Sequence, residues 1–301
     1  MESASLSPRP RGFLPPVSGR RRRVDRFARS LLWLAAGVAV VPLVLVIFYI
    51  LSKGLGAWSA EFFTTDPTGD FFGNQGGVKS AILGTIEIVG AAALVAVPLG
   101  VGVALYLTEY GGDARLAKAV RFFVDVMTGV PSIVFGLFIY LTLVLAGTGG
   151  SSFAGWKGSA ALALLMLPIV TRSAEVVLQL VPASLREAAL ALGAPRWKAI
   201  ARVILPSAAS GIVTGSLLAI ARAAGETAPL LFTATIVKAT TFDLNQPMNS
   251  LPAQIFQDLK QPNDELVQRA WGAAVTLVAM ILVITLIAKL IQRRSRVQGA
   301  P

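Results

Sequence analysis

The chain has no cysteine and no histidine. Without cysteine there is no disulfide framework, no thiolate zinc site and no thiol nucleophile. Without histidine the commonest general base and the imidazole metal ligands are missing, which removes most of the hydrolytic repertoire. Charge is scarce too: 14% of the 301 residues are charged, against roughly 25% in an ordinary soluble domain. Hydrophobic residues take up 54% of the sequence and mean hydropathy is +0.68, which leaves too little polar surface to clothe a soluble globule. The composition describes an all-α integral membrane protein rather than a self-contained enzyme. No metal or cofactor site is expected in the chain itself.

A helix needs about 17–25 apolar residues to cross the roughly 30 Å hydrocarbon core. Such runs occur near residues 31–51, 80–107, 122–146, 159–178, 208–237 and 271–291, which predicts six transmembrane helices. The amino-terminal tail, the second and fourth connections and the carboxy-terminal tail hold nineteen of the 27 Lys and Arg, and the alternate connections hold six. Arg172 and Arg222 are the other two, inside spans. Basic connections stay on the cytoplasmic side, so the expectation is a multi-pass protein of the plasma (inner) membrane with both termini cytoplasmic. The net charge of +11 therefore marks topology and contact with membrane lipid, with no nucleic acid partner. Along the chain we expect a basic, disordered tail over 1–29 and a first transmembrane helix with an outer aromatic loop over 30–79. A five-helix core carrying a cytoplasmic loop at 184–206 fills 80–292, and a tail fills 293–301.

The first outer connection carries Trp58, Phe62, Phe63, Phe71 and Phe72. Aromatic residues at this depth mark the membrane interface; the alternative is a docking surface for an external partner. In the third outer connection Ser250, Leu251 and Pro252 read as a helix start. Ile255, Phe256 and Leu259 then share a face, so a short amphipathic helix is expected along the outer surface. The run from Gly150 through Gly155 to Lys157 imitates a phosphate-cradling loop. Its Lys does not directly follow the second Gly and no strand precedes it. Any ATP is therefore used by a partner chain.

The segment 184–206 reads SLREAALALGAPRWKAIARVILP. Ser184 is placed to cap a first helix, with Glu187 completing a capping box. Gly193 can take the left-handed conformation that ends it, and Pro195 starts a second. A helix–glycine turn–helix between two spans suits a groove on another protein, although an ordinary amphipathic loop would share its composition. Glu187, Ala188 and Ala189, then Gly193, then Leu205 and Pro206 resemble the EAA motif of ABC-importer permeases. The run AIARAAGETAPLL at 219–231 resembles the fifth-span signature of the PstA family of phosphate-importer permeases, and VPSIVFG at 130–136 is similar to their third span. Gly76, Gly77, Val78, Gly84, Thr85 and the Leu251–Pro252 pair agree, so the resemblance covers roughly residue 76 to the end. It implies a type I ABC-importer permease fold built from the last five helices, and a loop that is the coupling helix docking into an ATPase. It further implies a heterodimeric pore with a PstC-like second permease, two copies of an ABC ATPase subunit, an extracytoplasmic phosphate-binding protein, and inorganic phosphate as the substrate.

Charges inside spans cost about 2.5–3.5 kcal/mol on insertion scales and so mark candidate pathways. Arg222 is expected near the middle of the fifth span with Glu226 one turn on. Their order is the weaker one for an i,i+4 pair, which leaves pairing across helices or with a partner permease open. Gly215 and Gly225 would allow close helix approach. Arg172 follows Pro168 by four residues and precedes Glu175 by three; snorkelling to the cytoplasmic interface is the plain alternative for it. Arg222 and Glu226, with Arg172 and Glu175, form the candidate phosphate pathway, because a guanidinium meets an oxyanion with two parallel hydrogen bonds. A structural ion pair locking helices would look the same in sequence. Asp125 is expected in the first turn of its helix, stabilised by the dipole. Rival readings are a permease for sulfate or molybdate, an ion-coupled secondary carrier, or a scaffold without transport. A carrier would show broken helices at matching positions of two halves, a pattern not visible in the sequence.

Overall fold

The computed structural model describes residues 19–68, 75–147 and 151–297. Two units make up the chain, one up to Tyr49 and one from Ile50.

Helix α1 runs over Gly19–Gly54. The basic tail is therefore helical from Gly19 instead of disordered up to residue 29. Arginine is a good helix former, and Arg29 donates to the Asp25 carboxylate one turn back at 3.1 Å. Residues 1–18 lie outside the described residues. From Leu31 to Phe48 the helix exposes apolar side chains in an unbroken series, as a lipid-facing span requires.

In the second unit a 3₁₀ turn, Leu55–Ala57, leads into α2, Ala60–Thr64. Next come α3, Lys79–Leu105, closed by a π-turn at Tyr106–Tyr110, and α4, Arg115–Gly129. Helix α5, Ser132–Ile139, also ends in a π-turn, Tyr140–Val144, and α6 spans Gly155–Gln179. The loop segment holds α7, Ala183–Ala191, and α8, Arg196–Ala199; a π-turn, Ile200–Ile204, joins α8 to α9, Leu205–Ala224. Helices α10, Ala228–Thr233, α11, Leu251–Asp258, and α12, Asp264–Val297, complete the chain. Among the described residues the only strand-like feature is one isolated bridge between Pro67 and Gly76.

Among the described residues five helices are long and apolar enough to span a membrane, or six if the α4–α5 pair, bent by 105°, counts as one span. The expected straight third span is thus broken at Val130 and Pro131. Proline forces the residue before it out of the helical region, and Val130 is extended at φ −75°, ψ 129°. The expected fifth span, 208–237, is broken as well: α9 stops at Ala224 and α10 starts at Ala228.

Helix α6 is the centre of the bundle and packs on α3 and α9. Lipid is as apolar as leucine, so close packing and hydrogen bonds hold such helices together. Glycines allow the approach: a Cβ on Gly100 would lie 2.8 Å from Val170, and Cβ atoms on Gly211 and Gly215 would lie 2.5 and 2.3 Å from Val177 and Ser173. Gly225 makes no such approach, its nearest neighbour being the Arg222 carbonyl at 3.7 Å.

At the end of the bundle that carries α11 the sequence reading needs two corrections. Phe62 is buried at 5% exposure against Val78, Leu251 and Ala273, Phe62 and Trp58 both stack edge-on against Phe63, and the Trp58 indole donates to the Gly272 carbonyl. These aromatics fasten α2 to α12 instead of forming a belt; Phe71 and Phe72 lie outside the described residues. Helix α11 buries the polar Gln254 and Asp258 along with Leu251 and Ala253, and leaves Phe256 and Leu259 exposed. The cause is Arg269 of α12, which is buried and donates to both Asp258 carboxylate oxygens at 2.8 Å. Asp258 in turn accepts from Gln254, which accepts from Asn249. Lys157 is a buried tie: its ammonium donates to the carbonyls of Leu143, Ser151 and Ser152.

Candidate functional site

Helix α7 begins at Ala183 after Pro182, whose φ of −56° suits helix entry, and no side chain caps it. Ser184 is already inside the helix, so the expected capping box with Glu187 does not form. The far end is as expected. Gly193 has φ +78°, its N–H donates to the Leu190 carbonyl, and the Ala194 N–H reaches the Ala189 carbonyl, the paired bonds of a Schellman cap. Pro195 then caps α8, and Leu205 and Pro206 open α9.

No residue of α7 is buried. Leu192 is 87% and Trp197 64% exposed, and Ala188 and Glu187 are exposed beside them. Among the described residues nothing within the chain pairs with the Glu187 carboxylate. One α7 side chain points the other way: Arg186 donates to Glu109 of the α3 π-turn and to the carbonyls of Leu178 and Val181.

A second cluster joins α3, α4 and α6. Glu175, with only 3% of its side chain exposed, accepts from Arg121 at 2.9 Å and from Arg172 at 2.6 Å. Arg172 also pairs with Asp125, and Arg121 donates to the Leu107 carbonyl. Asp125 is therefore not a first-turn acid: α4 begins at Arg115, which puts Asp125 in the third turn, held by Arg172. Arg172 does not snorkel alone, since two carboxylates hold its guanidinium.

Beyond this cluster lies an open cavity of about 390 Å³. Met127 and Val130 at the α4–α5 bend, Phe135, Leu165 and Pro168, and Leu218 and Arg222 line it. Arg222 is in the last turn of α9, with the helix ending two residues later at Ala224. A cation at a helix C-terminus is favoured by the dipole. Its Nε is 3.8 Å from the Glu226 carboxylate and 61% of the side chain is exposed; that separation is too long for a hydrogen bond. Because Gly211 faces Val177 and Gly215 faces Ser173, α6 and α9 are antiparallel. Arg222 then falls level with about residue 166, roughly 9 Å along α6 from Arg172 at 1.5 Å per residue. The fold keeps the two arginines apart, one solvated in a cavity and one neutralised.

The segments 130–136 and 219–231 prove to be two sides of one crossing: a Cβ on Gly136 of α5 would lie 2.6 Å from the Pro229 Cα of α10. Sequence reasoning missed Arg121, Arg186, Glu109 and Arg269 as partners. Arg121 and Arg269 each stand four residues from an acid, Asp125 and Glu265, but the partners that the fold supplies are Glu175 and Asp258.

The family model of the binding-protein-dependent transport system inner membrane component matches residues 96–297. The chain belongs to this family. Among relatives, the phosphate transport system permease protein PstA of Pasteurella multocida is 38% identical over 90% of this chain and 95% of its own. The protein of the same name from Yersinia pestis is 40% identical over 90% of each chain, and PstA 1 of Mycobacterium tuberculosis 41% identical over 92% of this chain and 91% of its own. In fold the permease resembles the inward-facing MetNI methionine ABC transporter, with a TM-score of 0.60 and 20% identity over 71% of this chain and 94% of that one. It also resembles a bacterial ABC transporter importing alginate, with a TM-score of 0.59 and 19% identity over 91% and 99%. These likenesses establish a multi-pass type I importer permease fold.

Proposed function

We propose that this permease is the PstA-type subunit of an ATP-driven inorganic phosphate importer. The observation that carries the reading is identity of 37–41% to permeases named for phosphate transport, along about nine-tenths of each chain. Importers of this family work with ATPase and substrate-binding partners. The finer assembly belongs to the proposal: a PstC-like second permease completing the pore, two ATPase copies at the α7 face, and a phosphate-binding protein at the opposite end. Both termini are then cytoplasmic, and ATP is used by the partner subunits alone. This arrangement is supported by the basic residues that the sequence concentrates in the two tails and in the second and fourth connections, and by Glu187, unpaired among the described residues, on the same loop as exposed Leu192 and Trp197.

Within the pore the phosphate contact falls to Arg222. Its guanidinium is exposed to the cavity and, among the described residues, is held only by the loose 3.8 Å ion pair with Glu226, so it can offer a phosphate two parallel hydrogen bonds. Glu226 stands close enough to compete for it, which keeps the site weak enough to release its anion. Arg172 is committed to Asp125 and Glu175 and can meet phosphate only by exchanging one of them, so it acts after Arg222. A sulfate or molybdate permease is not favoured, because the relatives span the signature segments and carry the phosphate name. In the assembled complex, Arg222→Ala should abolish uptake with the partner subunits still bound. Uptake near wild type would refute the contact.

A further inference from the structure

We infer that the Arg186–Glu109 pair is the linkage by which movement of the α7 loop is passed to α3 and α6. The inference rests on the coupling reading of that loop. Helix α7 is joined covalently to α6 through residues 180–182 and to α9 through α8, but no covalent path leads from it to α3. Its own packing cannot supply one, since none of its residues is buried. Arg186 bridges the gap. Its Nε and Nη2 donate to Glu109 Oε1 at 3.1 and 3.0 Å, and its Nη2 and Nη1 donate to the Leu178 and Val181 carbonyls at 2.7 and 2.6 Å.

Three features fit a linkage better than a surface ion pair. Glu109 is only 9% exposed and Arg186 26%, so solvent screens the pair weakly. Glu109 sits in the π-turn that ends α3, an irregular turn of the kind frequent at functional sites. The carbonyls that Arg186 takes up belong to Leu178 in the last turn of α6 and to Val181 just past its end, so a planar fork of donors holds two helix ends at once. Glu187, the next residue, is exposed and has no partner among the described residues. Adjacent side chains thus face the ATPase side and the pore helices.

Arg186 and Glu109 are positioning residues, and their loss should uncouple the transporter without disassembling it. The experiment uses the complete complex in proteoliposomes with phosphate, reading ATP hydrolysis and phosphate uptake side by side. Glu109→Gln should keep the ATPase bound and hydrolysing within about twofold of wild type, while phosphate moved per ATP falls at least tenfold. Arg186→Lys, which keeps the charge but loses the fork, should fall between the two. An unchanged ratio of uptake to hydrolysis overturns the linkage, and so does a parallel loss of both. If Glu109→Gln does not assemble, the same ratio is read on Arg186→Lys, where a wild-type value overturns it. The coupling reading has its own control, Glu187→Ala: if that variant retains full ATPase binding and transport, the coupling reading fails first. If it loses the ATPase while Glu109→Gln transports normally, the linkage alone is wrong.

Discussion

Glu175 carries a large electrostatic stake in this bundle. It is almost fully buried, and two guanidiniums are arranged around it. Removing one partner from a buried ion pair costs about 3–5 kcal/mol; with Arg121 and Arg172 each about a third exposed, the lower end applies. Glu175→Gln should therefore lower the thermal midpoint of the purified complex and reduce its yield. Arg222→Lys should leave both unchanged, because Arg222 holds nothing else in place, yet still lose uptake. A thermal scan of the two variants separates a structural charge from a functional one. The sequence could not make that distinction. Arg172 with Glu175 and Arg222 with Glu226 looked like equivalent intramembrane pairs, and what sets them apart is Arg121, 54 residues from Glu175. Periodicity records which residues share a helix face, not which face meets another helix.

At the scale of elements, the local signals were legible and the breaks were not. Gly193 announced its left-handed turn because the requirement is a property of the residue itself. Nothing lies within 4 Å of a Cβ built there, so Gly193→Ala carries only the conformational cost, about 1–2 kcal/mol. Gly193→Asn should cost less. ATPase co-purification should follow the order glycine, asparagine, alanine. The breaks at Pro131 and after Ala224 fall inside continuous apolar runs that hydropathy reads as single spans. Between them α5 and α10 cross at Gly136 and Pro229, where a side chain would collide with backbone. Gly136→Leu should therefore prevent assembly, with the full-length chain absent from the complex on a native gel. These two interrupted spans also remove one argument against a secondary carrier, the apparent lack of broken helices. Family membership does not favour that reading.

For the molecule as a whole, composition alone identified a helical membrane protein, and two short motifs identified its family. What remained hidden was the division of labour between its ends. One end is tied by a buried polar chain through Asn249, Gln254, Asp258 and Arg269. At the other, an exposed loop is fastened to the bundle through Arg186. A buried polar tie at one end and an exposed loop with a single side-chain fastening at the other suit a pore half that rocks between two openings. The central claim is that this pore half admits phosphate when ATP is used. It is tested most directly by loading the purified complex, with its binding protein, into vesicles and following labelled phosphate. The account predicts accumulation that needs ATP, persists without any ion gradient, is not displaced by excess sulfate or molybdate, and vanishes in Arg222→Ala. Phosphate entry driven by an ion gradient without ATP, or uptake of sulfate or molybdate in its place, would contradict it.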